Sequence, residues 1–444
     1  MDAREVALLT LNACERQGGW SDGVLKKQIA AAGLDSRDAG LATQLCFGVI
    51  QNRILLDFYL SKFSNIPLRR LEGKVLQALR LGLYQMLFLT RIPHSAAVDQ
   101  SVALTRAHCK NPRAPGMVNA ILRNLERSLD RLPTIPEDDP AEYYATLYSH
   151  PVWLVRELLE TLGSEGTAAF LQADNSQPPI TAMVNTVKTD LEGALEALQA
   201  EGVHGEPHPW LKNCLVLSRS GSLEELDAFQ NGLFYVQDPA SRLAVMALDP
   251  EPGSRVLDMC AAPGGKSFAA AIQMKDQGEI WSCDLHPHKK TLIQKGAQRL
   301  GLTCIRPQTA DGKVRRPEWE GTFDRVLVDA PCSGLGVIRK KPDIRFKDPE
   351  PLSGLPQVQS AILDNAAGYV KPGGVLVYST CTILERENRE VTDAFLAAHP
   401  EFRRERFLLP GPAGEVSEGQ ITLWPQVHGT DGFYICKLRK DGEA

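Results

Sequence analysis

The sequence predicts a multidomain chain. An all-α domain comes first, a small α+β module follows, and an α/β domain built on a doubly wound sheet ends it. Three observations carry that expectation. The chain has 444 residues, more than one hydrophobic core organises, so two or three domains are expected. Apolar residues recur at three- and four-residue spacing up to about residue 130, and after residue 250 strands and helices alternate. Between them, Leu132-Pro-Thr-Ile-Pro-Glu-Asp-Asp-Pro140 is rich in proline and acid and marks a boundary.

Residues 1–140 form the first expected domain. Helical spacing shows in Val6-Leu9-Ala13, Leu41-Leu45-Val49 and Val75-Leu79-Leu83, with Gly33, Pro67, Pro93 and Pro112 as punctuation. Residues 141–235 form the middle module. A helix is expected at Val152–Leu162, strands at Ile180–Asn185 and Leu215–Leu217, and a helix at Leu191–Glu201 between them. Residues 236–444 form the third domain. Its strands are expected at Arg255–Met259, Glu279–Cys283, Arg325–Val328 and Val375–Tyr378, with a helix at Phe268–Lys275. Such alternation implies a parallel sheet with helices on both faces and ligands at the carboxyl ends of its strands.

Composition narrows the function classes. The longest apolar stretch, Val75–Thr90, is interrupted by Arg80 and is too short for a bilayer, so no membrane partner is expected. The first residues lack the apolar core of a secretory signal. Ten cysteines contain no C-x-x-C pair, so neither a metal site nor a disulfide framework is expected, and a reducing cytoplasm fits. The net charge of −5 is unevenly spread, +7 over residues 1–132 and −12 over the rest. A basic N-terminal domain suggests a polyanion partner.

The chemistry-bearing residues lie at expected strand ends. In Val256-Leu-Asp-Met-Cys-Ala-Ala-Pro-Gly-Gly-Lys266 a strand runs into a turn, where Gly264 and Gly265 let the backbone approach a ligand. Asp284, 18 residues beyond Lys266, ends the next strand and can accept both hydroxyls of a ribose; Asp311 follows a third. Two cysteines share this edge, Cys332 in Val328-Asp-Ala-Pro-Cys-Ser-Gly-Leu-Gly336 and Cys381 in Val377-Tyr-Ser-Thr-Cys-Thr382. Either is a candidate nucleophile, and spacing alone does not rank them.

The strings DMCAAPGGKS, DAPCSGLGV, YSTC, ENRE and DGF resemble the RNA cytosine-5 methyltransferases. Arg91-Ile-Pro-His-Ser-Ala-Ala-Val-Asp-Gln100 and Met117-Val-Asn-Ala-Ile-Leu-Arg-Asn124 are similar to the RNA-binding domain of the NusB antitermination factor. Together they resemble the bacterial small-subunit rRNA methyltransferase B family (RsmB, Sun or Fmu). The resemblance implies a NusB-like first domain and a Rossmann-like class I methyltransferase domain at the C-terminus. It implies S-adenosyl-L-methionine as cofactor, small-subunit rRNA as partner, no metal, and a monomer in the cytoplasm. It assigns Cys381 as nucleophile, Asp329 as the acid facing ring nitrogen 3, Cys332 to product release and Lys266 to a place beside them. Cofactor contacts are expected from Cys260, Ala261, Ala262, Pro263, Gly264, Gly265, Lys266, Asp284, Asp311 and Asp329. DNA cytosine methyltransferases use the cysteine of a Pro-Cys motif, which keeps Cys332 as the alternative nucleophile.

In the middle module Tyr235-Val-Gln-Asp-Pro-Ala-Ser241 matches a family motif. Two departures stand out: Met183 occupies the place of a usual arginine, and Thr382 that of a usual serine. The four basic residues of Val337-Ile-Arg-Lys-Lys-Pro-Asp-Ile-Arg-Phe346 are expected to grip RNA phosphates. Two other readings start from the same residues: an RNA-binding protein on an inactive methyltransferase fold, and a methyltransferase acting on tRNA or protein.

Overall fold

The computed structural model describes residues 1–17, 20–218 and 221–442. They divide into two compact units. Among the described residues no helix is long and apolar enough to cross a membrane.

The first unit comprises Met1–Ser176 and Lys341–Lys347. Its helices are α1 (Ala3–Gln17), α2 (Ser21–Ala32), α3 (Ser36–Gln51), α4 (Arg53–Phe63), α5 (Gly73–Phe88), α6 (His94–His108), α7 (Ala114–Glu126), α8 (Pro140–Leu147) and α9 (Val152–Asp174). Local signals fix their ends. Gly33 closes α2 in the left-handed conformation (φ 61°), and Asp35 caps α3 by accepting from the Asp38 amide at 2.8 Å. The amphipathic α7 buries Val118, Ile121, Leu122 and Leu125, one stripe at three- and four-residue spacing. In contrast α5 is buried continuously from Val75 to Met86, which makes it the central helix. Its Arg80 is tolerated there because Asp57 (2.7 Å) and Glu15 (3.2 Å) neutralise it. The helix expected at Val152–Leu162 ends at Gly163, which has φ 66°, and a second helical stretch continues to Asp174. Helices α8 and α9 group with the preceding helices in this unit.

The second unit comprises Gln177–Lys340 and Asp348–Ala444. It opens with a four-stranded antiparallel sheet of β1 (Ile180–Val184), β2 (His204–Pro207), β3 (Cys214–Ser218) and β4 (Phe234–Val236), in the order β2-β3-β1-β4. Helix α10 (Leu191–Ala200) buries Ala194 and Leu198 in the same apolar cluster as Ala182, Val184 and Leu215, and α11 (Asp227–Gln230) precedes β4. Met183 is buried with Leu211, Cys214 and Tyr235, so its position is an apolar core site in this chain.

The large sheet contains β5 (Arg255–Asp258), β6 (Glu279–Asp284), β7 (Ile305–Thr309), β8 (Phe323–Asp329), β9 (Val370–Thr380), β10 (Phe402–Arg404), β13 (Gln420–Leu423) and β14 (Phe433–Lys440). Its order is β10-β14-β9-β8-β5-β6-β7, with β13 on β14; β11 (Phe407–Leu408) and β12 (Glu415–Val416) pair separately. Helices α12 (Pro239–Leu248), α13 (Gly265–Gln273), α14 (Pro287–Leu300), α15 (Leu355–Tyr369), α16 (Arg389–Ala398) and the short α17 (Pro425–His428) complete the unit. The expected parallel sheet holds for β5 to β9. It is corrected beyond β9, where β14 runs antiparallel to β9, and β10 and β13 run antiparallel to β14. Strand β14 pairs antiparallel with both β13 and β9, so it enters the sheet from the opposite end. Asp258, Asp284, Asp329 and Thr380 all stand at carboxyl ends of parallel strands, on one edge.

Candidate active site

Buried Val256 and Leu257 anchor β5, and the chain then turns sharply. The turn is pinned by backbone bonds, Met259 N to Leu327 O (3.0 Å), Ala261 N to Cys283 O (2.7 Å) and Gly264 N to Ala261 O (2.7 Å). Ala262–Pro263 is cis, and Gly264 has φ 115°. A Cβ at Gly264 would lie 2.3 Å from the Phe268 ring, so both conformation and space demand glycine.

Beneath the turn Asp258 is 1% exposed and accepts from Ser267 Oγ at 2.7 Å; Ser282 Oγ lies 2.7 Å from Ser267 Oγ. Its Oδ1 has no partner among the described residues. Burial, the largest cause, pushes the carboxyl up to about 7. The folded protein thus holds a proton here that the unfolded chain, with a carboxyl near 3.9, has released by neutral pH. The associated stability is present below pH 4 and is lost as pH rises toward 7. Asp258→Asn mimics the protonated form. It should gain on the parent chain by about 2 kcal/mol between pH 5.5 and pH 8. Urea unfolding at both pH values checks this, and a constant difference would mean that Asp258 does not titrate in the fold.

A cavity of about 460 Å³ opens in front of the turn. Cys260, Ala262, Asp284, Asp311 and Asp329 line it, as do both cysteines. Ala261, Pro263, Gly264, Gly265 and Lys266 are not on its wall; they shape the turn and the start of α13. Leu285, Lys289, Lys313, Val358 and Ile362 also line the cavity. They were missed because exposed loop residues, a helical lysine and apolar helix residues have no motif. Asp284 is 6% exposed, and its Oδ1 takes both the His286 amide (3.1 Å) and the Lys289 ammonium (3.6 Å).

Cys332 and Cys381 come together, Sγ to Sγ at 3.2 Å, both as free thiols. That separation is a hydrogen-bond contact, well beyond a disulfide bond length of about 2.05 Å. The Cys381 bond and burial push the Cys332 thiol far up, so it stays protonated at neutral pH. The two loops are tied from behind. The buried Glu387 carboxylate accepts from the Ser333 amide and from Gln359 Nε2, each at 2.9 Å, and Gln359 also donates to Pro331 O. Ser333 and Thr382 hydroxyls meet at 2.7 Å, so threonine at 382 supplies the hydroxyl that serine would. Asn388 accepts from Thr380 Oγ1 and donates to Thr382 O. The ENRE string is thus a clamp on the two cysteine loops. The terminal DGF string packs against the first of these loops: a Cβ on Gly336 would lie 1.8 Å from the Gly432 carbonyl.

Asp329 sits between a cation and a hydroxyl. Its Oδ2 accepts from Lys266 Nζ at 2.7 Å and its Oδ1 from Ser379 Oγ at 2.9 Å. Burial depresses Lys266, but Asp329 outweighs it, and the net direction is upward, so the ammonium persists. Ser241, at the end of the Tyr235–Ser241 motif, also accepts from Lys266 at 3.3 Å.

The phosphate grip expected of residues 337–346 is corrected. Arg339 and Lys340 are consumed by Asp238 and Asp431, with Arg339 to Asp431 and Lys340 to Asp431 both at 2.8 Å. Arg345 is 1% exposed in the first unit and donates to the carbonyls of Gln51 (2.6 Å) and Ser149 (3.1 Å). Buried cations require such partners, and only Lys341 of the four is exposed.

A family model described as 16S rRNA methyltransferase RsmB/F matches residues 245–439. The NusB family matches residues 1–127, and a ferredoxin-like domain of RsmF/B-like methyltransferases matches residues 150–224. The chain is 40% identical to the probable ribosomal RNA small subunit methyltransferase B of Bacillus subtilis, over 99% of each chain. It is 34% identical to ribosomal RNA small subunit methyltransferase B of Klebsiella pneumoniae, over 92% of this chain and 91% of that one. Among solved structures, PH0851 is 26% identical with a TM-score of 0.81 over 99% of each chain. A methyltransferase homolog from Pyrococcus horikoshii is 28% identical with a TM-score of 0.56, over 67% of this chain and 97% of that one.

Proposed function

The chain belongs to the RsmB/F family of 16S rRNA methyltransferases, and from that premise we propose that it methylates carbon 5 of one cytosine in small-subunit rRNA, with Cys381 as nucleophile. The observation that carries the proposal is the 3.2 Å thiol pair on the wall of a cavity that Asp329 also lines.

S-adenosylmethionine, the cofactor of this family, supplies the methyl carbon. The residues present fit it. The cavity volume suits a nucleoside-sized ligand. The buried Asp284 carboxylate offers acceptors for ribose hydroxyls, with Asp311 farther along the same wall. Asp284→Ala should weaken S-adenosylmethionine binding by about 1–3 kcal/mol. Unchanged affinity in calorimetry would remove Asp284 from the ribose role.

Carbon 5 of cytosine is too weak a nucleophile to take a methyl group unaided. Addition of Cys381 Sγ to carbon 6 makes carbon 5 the nucleophilic end of an enamine. Negative charge then develops toward ring nitrogen 3, and a proton must meet it. Asp329 is the candidate donor, and the Lys266 ammonium 2.7 Å away holds the proton that this carboxyl passes on. After methyl transfer a base takes the carbon 5 proton and the carbon 6–sulfur bond breaks. Cys332, held as a thiol, donates a hydrogen bond to the departing Cys381 sulfur. The resemblance to the family, in which the cysteine of the Thr-Cys motif attacks, is what favours Cys381 over Cys332 as the attacking group.

The target base must leave its stack to reach this cavity, which favours a single-stranded or looped cytosine. The test is methyl transfer from labelled S-adenosylmethionine to 16S rRNA from cells lacking this protein, followed by nucleoside analysis. Label in 5-methylcytidine is the expected result, and label in any other nucleoside contradicts the proposal.

A further inference from the structure

The helical unit contains a second cavity, of about 430 Å³, that the methyl-transfer chemistry does not use. Two aromatic rings and an arginine define it. Trp20 is 52% exposed at the wall, and Phe346 lies flat against the Arg53 guanidinium, whose carbon is 3.3 Å from the ring centre. Among the described residues the Arg53 side chain has neither a hydrogen bond nor an ion pair. Burial and the neighbouring Arg80 charge lower its pKa to about 10, so it remains a cation at neutral pH. Arg80 is different, since Asp57 and Glu15 hold it.

The acceptors complete the picture. Gln77 is 2% exposed; its amide nitrogen donates to Glu15, while its Oε1 is buried without any donor. An orphaned buried acceptor is costly, and a ligand N–H would satisfy it. Asp343 and Glu15 add carboxylate oxygens to the same wall. Lys347 Nζ sits 5.1 Å above the Trp20 ring. The cavity therefore offers a planar stacking surface, one arginine fork with its donors unspent, and acceptors beyond it.

We propose that this cavity holds a single unstacked guanine base of an RNA strand. Guanine presents acceptors O6 and N7 on one edge, which an arginine fork matches bidentately, and donors N1–H and N2–H on the next edge. Adenine, with an amino group where guanine has O6, would set donor against donor at Arg53. Stacking on an aromatic face and hydrogen bonding of exposed edges is how proteins read unpaired RNA bases. The inference rests on the reading that this chain acts on RNA.

The experiment measures fluorescence polarisation of the full chain with two labelled octauridylates, one carrying a guanosine at the fourth position and one an adenosine. The guanosine strand should bind about tenfold tighter or better. Arg53→Ala and the exposed Trp20→Ala should each reduce that preference to less than about twofold. Equal affinity for the two strands, or a preference that survives both substitutions, overturns the inference. So does competition by 5′-GMP equal to that of the guanosine strand, which would make this a free-nucleotide site. Methyl transfer to rRNA by the same preparation reads the functional proposal separately. Activity without base preference sinks only this inference, and preference without activity sinks only that proposal.

Discussion

Cys381→Ala should lower methyl transfer to rRNA by at least about 10³-fold while leaving S-adenosylmethionine affinity unchanged. The size of the effect follows from the chemistry. Without a sulfur adding to carbon 6, carbon 5 never becomes nucleophilic, and no neighbouring group replaces it. Cys332 is 3.2 Å away from the removed sulfur, but on the proposed assignment its place is beside the leaving group and not on carbon 6. The fold should tolerate the change, because Cys381 anchors its loop through the main chain, where its carbonyl accepts from the Gly336 amide at 2.9 Å. Steady-state kinetics with rRNA, alongside calorimetry with the cofactor, separates a lost nucleophile from a collapsed site. Retention of more than a tenth of the activity would make another group the nucleophile.

Cys332→Ala should fail differently. With Cys381 as the proposed nucleophile, attack and methyl transfer remain possible, but the departing sulfur loses its hydrogen-bond donor. Turnover should fall by about 10²-fold or more, and a covalent protein–RNA adduct should accumulate and survive a denaturing gel. The double variant should form no adduct. The opposite pattern, with adduct in Cys381→Ala and none in Cys332→Ala, would exchange the roles of the two thiols.

Much of the candidate site was legible because its chemistry is tied to local backbone demands. The Gly264 turn needs a glycine whatever else changes, and acidic residues at strand ends stand out against apolar strands. Asp284, Asp311, Asp329, Cys332 and Cys381 were therefore readable as a set before their distances were known. The supporting residues were not. Glu387 and Asn388 were noticed as a string, yet their work on the Cys332 and Cys381 loops depends on contacts up to 54 residues apart in sequence. The basic run after Cys332 misled for the same reason. A lysine or arginine looks solvated until its partner is known, and Asp238 lies 102 residues from Lys340. Arg80 gave the same false signal inside the basic N-terminal stretch.

The fold shows a similar division. Helices with long amphipathic stripes and parallel strands with buried runs were readable from periodicity. Strands β2, β4, β10 and β13, each of four residues or fewer, were not. Strand β14 is longer, but its orientation depends on pairing with β9 and β13, which no local signal reports.

The central claim is that the Cys381 sulfur bonds to carbon 6 of the target cytosine. Tandem mass spectrometry of the ribonuclease-trimmed adduct from Cys332→Ala tests it most directly. A 5-methylated cytidine nucleotide is expected on the peptide that contains Cys381, and on no other. A nucleotide mapped to another residue, or rRNA methylated by this variant at full rate with no modified peptide, would contradict it.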